Sequence, residues 1–186
     1  MRLAMVEAER ARGLTGDNPW VGCVIAGGDG EVVGRGCTQG PGEDHAEIAA
    51  ARDAALRGVA VEGATLYSTL EPCAFHGRTP SCAASIVARG LRRVVIGMRD
   101  PHPRVDGEGI AILRAGGIEV VEGICEDEVR RQLGSWLFEV HPHEPQARAR
   151  RLAPTMPRER LVLTLAELYA VDAAQVGAIV DALAMP

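Results

Sequence analysis

The chain contains no lysine: all twenty of its basic side chains are arginine. Codon bias accounts for this more simply than function does, yet it leaves arginine as the only side chain able to grip a phosphate. Aromatic residues are scarce too, at 3%. Apolar residues still make up 47%, so a core is available, and it has to be built from Ala, Val, Leu and Ile. No apolar run approaches 18 residues, and the opening "MRLAMVEAERARG" reads as a charged amphipathic helix. Neither a membrane span nor a secretory signal is therefore expected. Without an export signal, an odd number of cysteines (five) argues against a disulfide framework and for a metal site or free thiols. The expected compartment is the cytoplasm. Positive charge is also short: a net charge of −5 argues against a general nucleic-acid binder, which needs a basic face.

What is present reads as one domain with an appendage. Two apolar runs, "WVGCVIA" (20–26) and "EVVGRG" (31–36), flank "GGDG" and predict a hairpin. Asp44, as N-cap, and Gly58 bound a helix in "HAEIAAARDAALRG". A strand follows at 64–70, then a helix from Pro80 to Gly90, a strand at 92–98, a helix at 107–117, a strand at 118–123 and one long helix over 125–140. This order implies a mixed sheet with helices on both faces, a three-layer α/β/α sandwich. Residues 1–140 form the expected domain. The Pro- and Arg-rich stretch 141–160 reads as a linker in which His141 and His143 are solvated. Residues 161–186 read as a tail of one or two short helices, with Val176, Ile179, Val180 and Leu183 on one stripe and Asp172 and Gln175 as a capping box.

Chemistry concentrates in "HAE" (45–47), "PC" (72–73) and Cys82. His45, Cys73 and Cys82 are three zinc-grade ligands, each expected at or beside a helix start, and they leave a fourth tetrahedral position for water. Glu47, two residues past His45, faces that water without ligating, as a general acid/base must. H-x-E with P-C-x-x-C is the zinc-deaminase signature; here the second gap is P-C-x8-C. A structural zinc would want a fourth ligand, which His76 offers, but Glu47 would then have no role. A redox pair would favour C-x-x-C and leaves "HAE" unexplained. Glu71 reads as a brace for its loop and Cys23 as core; Cys37 is ambiguous and Cys125 is a stray thiol.

Four motifs together, "NPWVGCVI", "HAE", "TLEPCAFHGRTPSCA" and "MRDPHPRVDGEGI", make residues 1–140 resemble the pyrimidine deaminase of riboflavin biosynthesis. That deaminase is usually the N-terminal half of a bifunctional deaminase/reductase in the cytidine-deaminase-like superfamily. The resemblance implies a five-stranded sheet of order 2-1-3-4-5. It also implies hydrolytic loss of an exocyclic amine from a phosphoribosyl-aminopyrimidine, with Zn2+ on His45, Cys73 and Cys82 and Glu47 as proton shuttle. Asn18 matches an asparagine that touches substrate, Ala46 counts with the substrate-binding positions, Arg78 falls where the family faces the substrate phosphate, and Asp100 lies in the loop bordering the sugar.

The departures from the family pattern are as informative. Cys37-Thr38 stands for a Trp-His pair, Ala74 and Phe75 for Ser and His, and His102 for an asparagine. Thr38, Phe75 and His102 are expected to line the substrate pocket. Intact chemistry with an altered pocket fits either the riboflavin intermediate or another amino-heterocycle or nucleoside handled by a pathway-specific paralogue. A non-catalytic scaffold stabilised by zinc is a reading of a different class, opposed by Glu47. The expected partners are a small-molecule substrate, sister subunits in a homo-oligomer, and a separate reductase, since the family's reductase half is not read in the sequence. Neither nucleic acid nor membrane is expected as a partner.

Overall fold

The computed structural model describes residues 1–75 and 81–183. They divide into two compact units, Met1–Val129 and Arg130–Pro186. The first unit holds α1 (Arg2–Glu9), β1 (Gly22–Ala26), β2 (Val32–Cys37), α2 (Ala46–Leu56), β3 (Thr65–Leu70), α3 (Cys82–Ala88), β4 (Arg93–Met98), α4 (Glu108–Ala115) and β5 (Glu119–Val121). The strands form one sheet of order β2-β1-β3-β4-β5. β1 pairs antiparallel with β2 and β3, while β3–β4 and β4–β5 are parallel. The sandwich and strand order expected from the sequence are those found.

The hairpin closes where Gly27 N–H meets the Glu31 carbonyl at 2.9 Å. Register then sorts the faces. Cys23 lies opposite Gly36 and Ile25 opposite Gly34, so these four residues share one face of the sheet. On that face α2 sits directly on β2: a Cβ at Gly36 would lie 2.5 Å from the Ala46 carbonyl oxygen, and one at Gly34 would meet the Ala50 carbonyl. The facing side chains, Ala46, Ala50 and Ala54, are fully buried. With so few aromatics, this chain fills its core by bringing backbones together rather than by inserting large rings. Gly22 faces the other way, where a Cβ would strike the Ala4 carbonyl of α1.

The second unit departs from the sequence reading. The expected single helix over 125–140 breaks into α5 (Glu126–Gln132) and α6 (Gly134–Val140), at a glycine whose absent Cβ makes room for the Tyr169 carbonyl. The stretch expected to be a linker is largely helical: α7 spans His143–Leu152, with Pro145 and Ala149 buried. Pro142 and Pro145 stand at the N-cap and in the first turn, where a missing N–H costs no hydrogen bond. His141 is buried against Trp136, ring centroids 4.6 Å apart, rather than solvated, whereas His143 is exposed as expected. The tail contains two helices, α8 (Arg158–Tyr169) and α9 (Ala173–Leu183). Asp172 caps the second through Ala174 N–H at 2.7 Å, and Val176 and Val180 are buried. Among the described residues no helix is long and apolar enough to cross a membrane.

Because the atoms facing Gly36 are backbone and cannot rotate away, Gly36→Ala should cost about 2–3 kcal/mol of stability. Gly28→Ala, in open space at the hairpin tip, should change stability by less than about 1 kcal/mol. Urea-unfolding midpoints of the two variants test the difference; equal midpoints would refute the close-packed seat.

Candidate active site

The N-terminus of α2 delivers two of the chemical groups. His45, not Asp44, is the N-cap: its backbone is extended and its carbonyl accepts Ala49 N–H at 3.0 Å. Asp44 instead pairs with Arg52 at 2.6 Å. The imidazole makes no capping bond, which leaves its Nδ1 3.3 Å from Cys82 Sγ and 3.7 Å from Cys73 Sγ. Cys82 opens α3, whose N-cap Ser81 accepts Ala84 N–H through its side chain. Cys73 begins no helix. It lies in the loop after β3, and its sulfur accepts Cys82 N–H at 3.3 Å, so it still faces a helix start that another residue begins.

The three donor atoms lie within 4.8 Å of one another. Tetrahedral bonds to zinc, about 2.0 Å to nitrogen and 2.3 Å to sulfur, require N···S edges of about 3.5 Å, and the two observed edges straddle that value. One imidazole and two thiols form a borderline-soft donor set that suits zinc. The geometry fits the ion.

Electrostatics point the same way. Hydrogen bonds from Cys82 and His45 pull the Cys73 thiol well below its ordinary value and favour its thiolate, against the opposing effect of burial. The bond to Cys73, together with burial, pushes the Cys82 thiol up. Glu47, in the first turn of α2, is only 5% exposed. Burial and the neighbouring Cys73 charge raise its pKa, while nearby His45, a backbone hydrogen bond and a hydrogen bond with Cys82 oppose them.

A second buried carboxylate organises the surrounding loops. Glu71, 3% exposed, accepts the N–H groups of Gly107 at 3.0 Å, Ile110 at 3.1 Å and Asp100 at 3.3 Å. It is the brace the sequence suggested, and it ties the Cys73 loop to the loop after β4. Gly109 completes the junction, since a Cβ there would collide with the Pro72 carbonyl.

The substrate positions expected from the sequence are distributed as follows. Asn18 is half-buried in a turn in which its carbonyl accepts the Thr15 hydroxyl at 2.7 Å. The Thr38 hydroxyl accepts Val21 N–H at 3.1 Å, and Thr38 borders a cavity of about 220 Å³ with Arg10, Leu14 and Cys37. Ala46 is fully buried against β2. Asp100 is buried and accepts His102 N–H at 2.8 Å. Phe75 and His102 meet, with ring centroids 5.6 Å apart. Arg78 and His76 lie outside the described residues. Sequence reasoning passed over Arg104, whose guanidinium stacks on Phe75 at 3.9 Å; an arginine two residues past His102 was the available signal.

Burial pushes the Asp100 carboxyl up to about 7 from an ordinary 3.8. The folded chain therefore holds a proton there that the unfolded chain has lost above about pH 4, and this group's contribution to stability falls as pH rises from about 4 to 7. Asp100→Asn keeps the Oδ1 acceptor but cannot titrate. Relative to the parent it should gain up to about 1.4 kcal/mol per pH unit between about pH 5 and 7, read from urea midpoints. A constant gap would show that Asp100 titrates normally.

Residues 1–98 match the family described as the cytidine and deoxycytidylate deaminase zinc-binding region. The chain is 47% identical over 131 residues to the riboflavin biosynthesis protein RibD of Escherichia coli, covering 70% of this chain and 35% of that protein. It is 46% identical over 127 residues to the chloroplastic riboflavin biosynthesis protein PYRD of Arabidopsis thaliana, covering 68% of this chain and 29% of that one. Among solved structures, a diaminohydroxyphosphoribosylaminopyrimidine deaminase/5-amino-6-(5-phosphoribosylamino)uracil reductase from Thermotoga maritima superimposes with a TM-score of 0.70 at 39% identity, over 77% of this chain and 40% of that one. The chain thus spans about a third of the length of the curated relatives it matches. The donor triad and its buried glutamate fall inside the matched region, and the chain belongs to the cytidine and deoxycytidylate deaminase family.

Proposed function

We propose that the chain is a zinc-dependent hydrolytic deaminase that exchanges an exocyclic amine of a phosphoribosyl-aminopyrimidine for oxygen, acting in the cytoplasm. The observation that carries this reading is the placement of Glu47: a buried carboxylate in the same first turn as His45, against Cys82, beside a complete N,S,S donor set. A purely structural metal site has no use for it.

His45, Cys73 and Cys82 would hold the ion, whose Lewis acidity lowers the pKa of a water molecule bound to it. The rest belongs to the chain. Glu47 takes a proton from the attacking water and passes it to the amine nitrogen, which leaves as ammonia while the carbon keeps the water oxygen. Its pKa, raised by burial, makes it a better proton acceptor than an ordinary carboxylate. The relatives named above support riboflavin-pathway chemistry, with a reductase consuming the product. Phe75 and His102, placed where the family carries His and Asn, support a second reading in which a different amino-heterocycle is the substrate.

Mass spectrometry of the phosphoribosyl-diaminopyrimidinone, before and after incubation with zinc-loaded protein, should show a gain of about one dalton as NH2 is replaced by OH. Glu47→Gln should lower ammonia release by at least about 100-fold with zinc content unchanged, whereas Cys82→Ala should lose the zinc itself, as read by elemental analysis. Equal turnover in Glu47→Gln would refute the mechanism. No mass change with zinc bound would move the assignment to another heterocycle.

A further inference from the structure

Beside the metal cluster, two loops join through three side chains that the proposed chemistry does not use. Phe75 lies two residues beyond Cys73, and His102 two residues beyond Asp100. The loop after β4 is tightly tied: Val105 and Asp106 donate their N–H groups to the His102 carbonyl at 2.8 and 3.2 Å, and Arg104 N–H donates to His102 Nδ1 at 3.1 Å. With Nδ1 accepting, a neutral His102 ring carries its proton on Nε2. The backbone at Arg104 is thus fixed, and its exposed side chain folds back so that the guanidinium carbon stands 3.9 Å from the centre of the Phe75 ring. The same ring meets His102 on a 35° tilt.

A guanidinium held over an aromatic ring still has N–H donors to offer a ligand. Among the described residues no carboxylate pairs with Arg104, in contrast to Arg99 and Arg114, which share Glu122. A planar fork of donors, held in place and without a counter-charge, matches a phosphate group in the bidentate manner. The ring also removes rotamer freedom that a loose surface arginine would lose on binding, which favours the bound state.

We propose that Arg104, positioned by Phe75 and His102, binds the phosphate monoester of the substrate and sets the preference for phosphorylated over unphosphorylated ribosides. The proposal rests on the deaminase reading above, from which it takes the substrate class. Phe75 is a positioning residue in this arrangement, because it acts through the guanidinium.

Binding of ribose 5-phosphate and of ribose to the zinc-loaded full chain, followed by calorimetry, tests the subsite without requiring turnover. Arg104→Gln should weaken ribose 5-phosphate binding at least about tenfold and leave ribose unaffected. Phe75→Leu, which keeps the charge but removes the platform, should weaken it by a few fold, and Arg104→Lys should recover part of the loss. In steady state, Arg104→Gln should raise KM for the phosphorylated aminopyrimidine riboside by a similar factor. Its kcat, and the KM for the dephosphorylated riboside, should not change. Failure of the parent to bind ribose 5-phosphate, or equal binding by Arg104→Gln, overturns the subsite. Arg104-dependent binding without ammonia release from the aminopyrimidine riboside would uphold the subsite and sink the phosphoribosyl-aminopyrimidine reading; ammonia release with no dependence on Arg104 would do the reverse.

Discussion

The contact on which the rest of the site depends is the seat of α2 on β2, where glycine faces alanine and no larger side chain intervenes. Helix and strand approach so closely at Gly34 and Gly36 that even one methyl group would meet main-chain atoms of Ala46 and Ala50. His45 and Glu47 flank Ala46 in the chain, so the height of the helix above the sheet sets where imidazole and carboxylate stand relative to Cys73 and Cys82. A shift of half an ångström there would be read directly in donor–donor distances that now suit a small cation. The scarcity of aromatics, which at first limits what the core can be, is on this view the same constraint. Small residues permit close layers, and close layers hold the ligands rigidly.

The cysteine side of the cluster needs its own anchor, because Cys73 lies in a loop. Glu71 provides it. A buried carboxylate is costly unless its oxygens are satisfied, and here the partners are N–H groups from the loop after β4 and the first turn of α4. Burial raises the Glu71 pKa, while bonds from Ile110, Gly107 and Asp100 oppose the rise. Two loops that supply different parts of the site, one bearing a metal donor and the other Asp100 and His102, are thereby fixed to a common point. The second loop inherits its order from the first, which is why Phe75 and Arg104 can meet in a defined stack.

The features legible in the sequence were those written in short-range spacing. "HAE" on one helical turn, the paired cysteines and the alternation of helix and strand signals located the donors, and the family likeness added the strand order. Features that depend on what an element packs against were not legible. Asp44 has the better capping side chain, but Arg52 engages it, and His45 takes the cap with its backbone alone. The break between Gln132 and Gly134 arises from the approach of Tyr169, 35 residues away in sequence. Prolines at 142 and 145 suggested a linker, although a helix start tolerates both. The Arg104 stack joins residues 29 apart, and no local pattern announces such a pairing.

Charge balance within the cluster completes the functional argument. Hydrogen bonds from Cys82 and His45 favour the Cys73 thiolate, while the bond to Cys73, burial and the nearby negative charge push the Cys82 thiol up. Glu47 is driven upward by the same negative neighbour. Cys82 and Glu47 therefore resist ionisation, while their neighbours favour the thiolate of Cys73 and the protonated ring of His45. A fold that needed only stability would replace such a set with apolar side chains of similar volume. Holding two sulfurs, an imidazole and a carboxylate this close makes physical sense when a divalent cation balances their charge and allows both thiols to deprotonate.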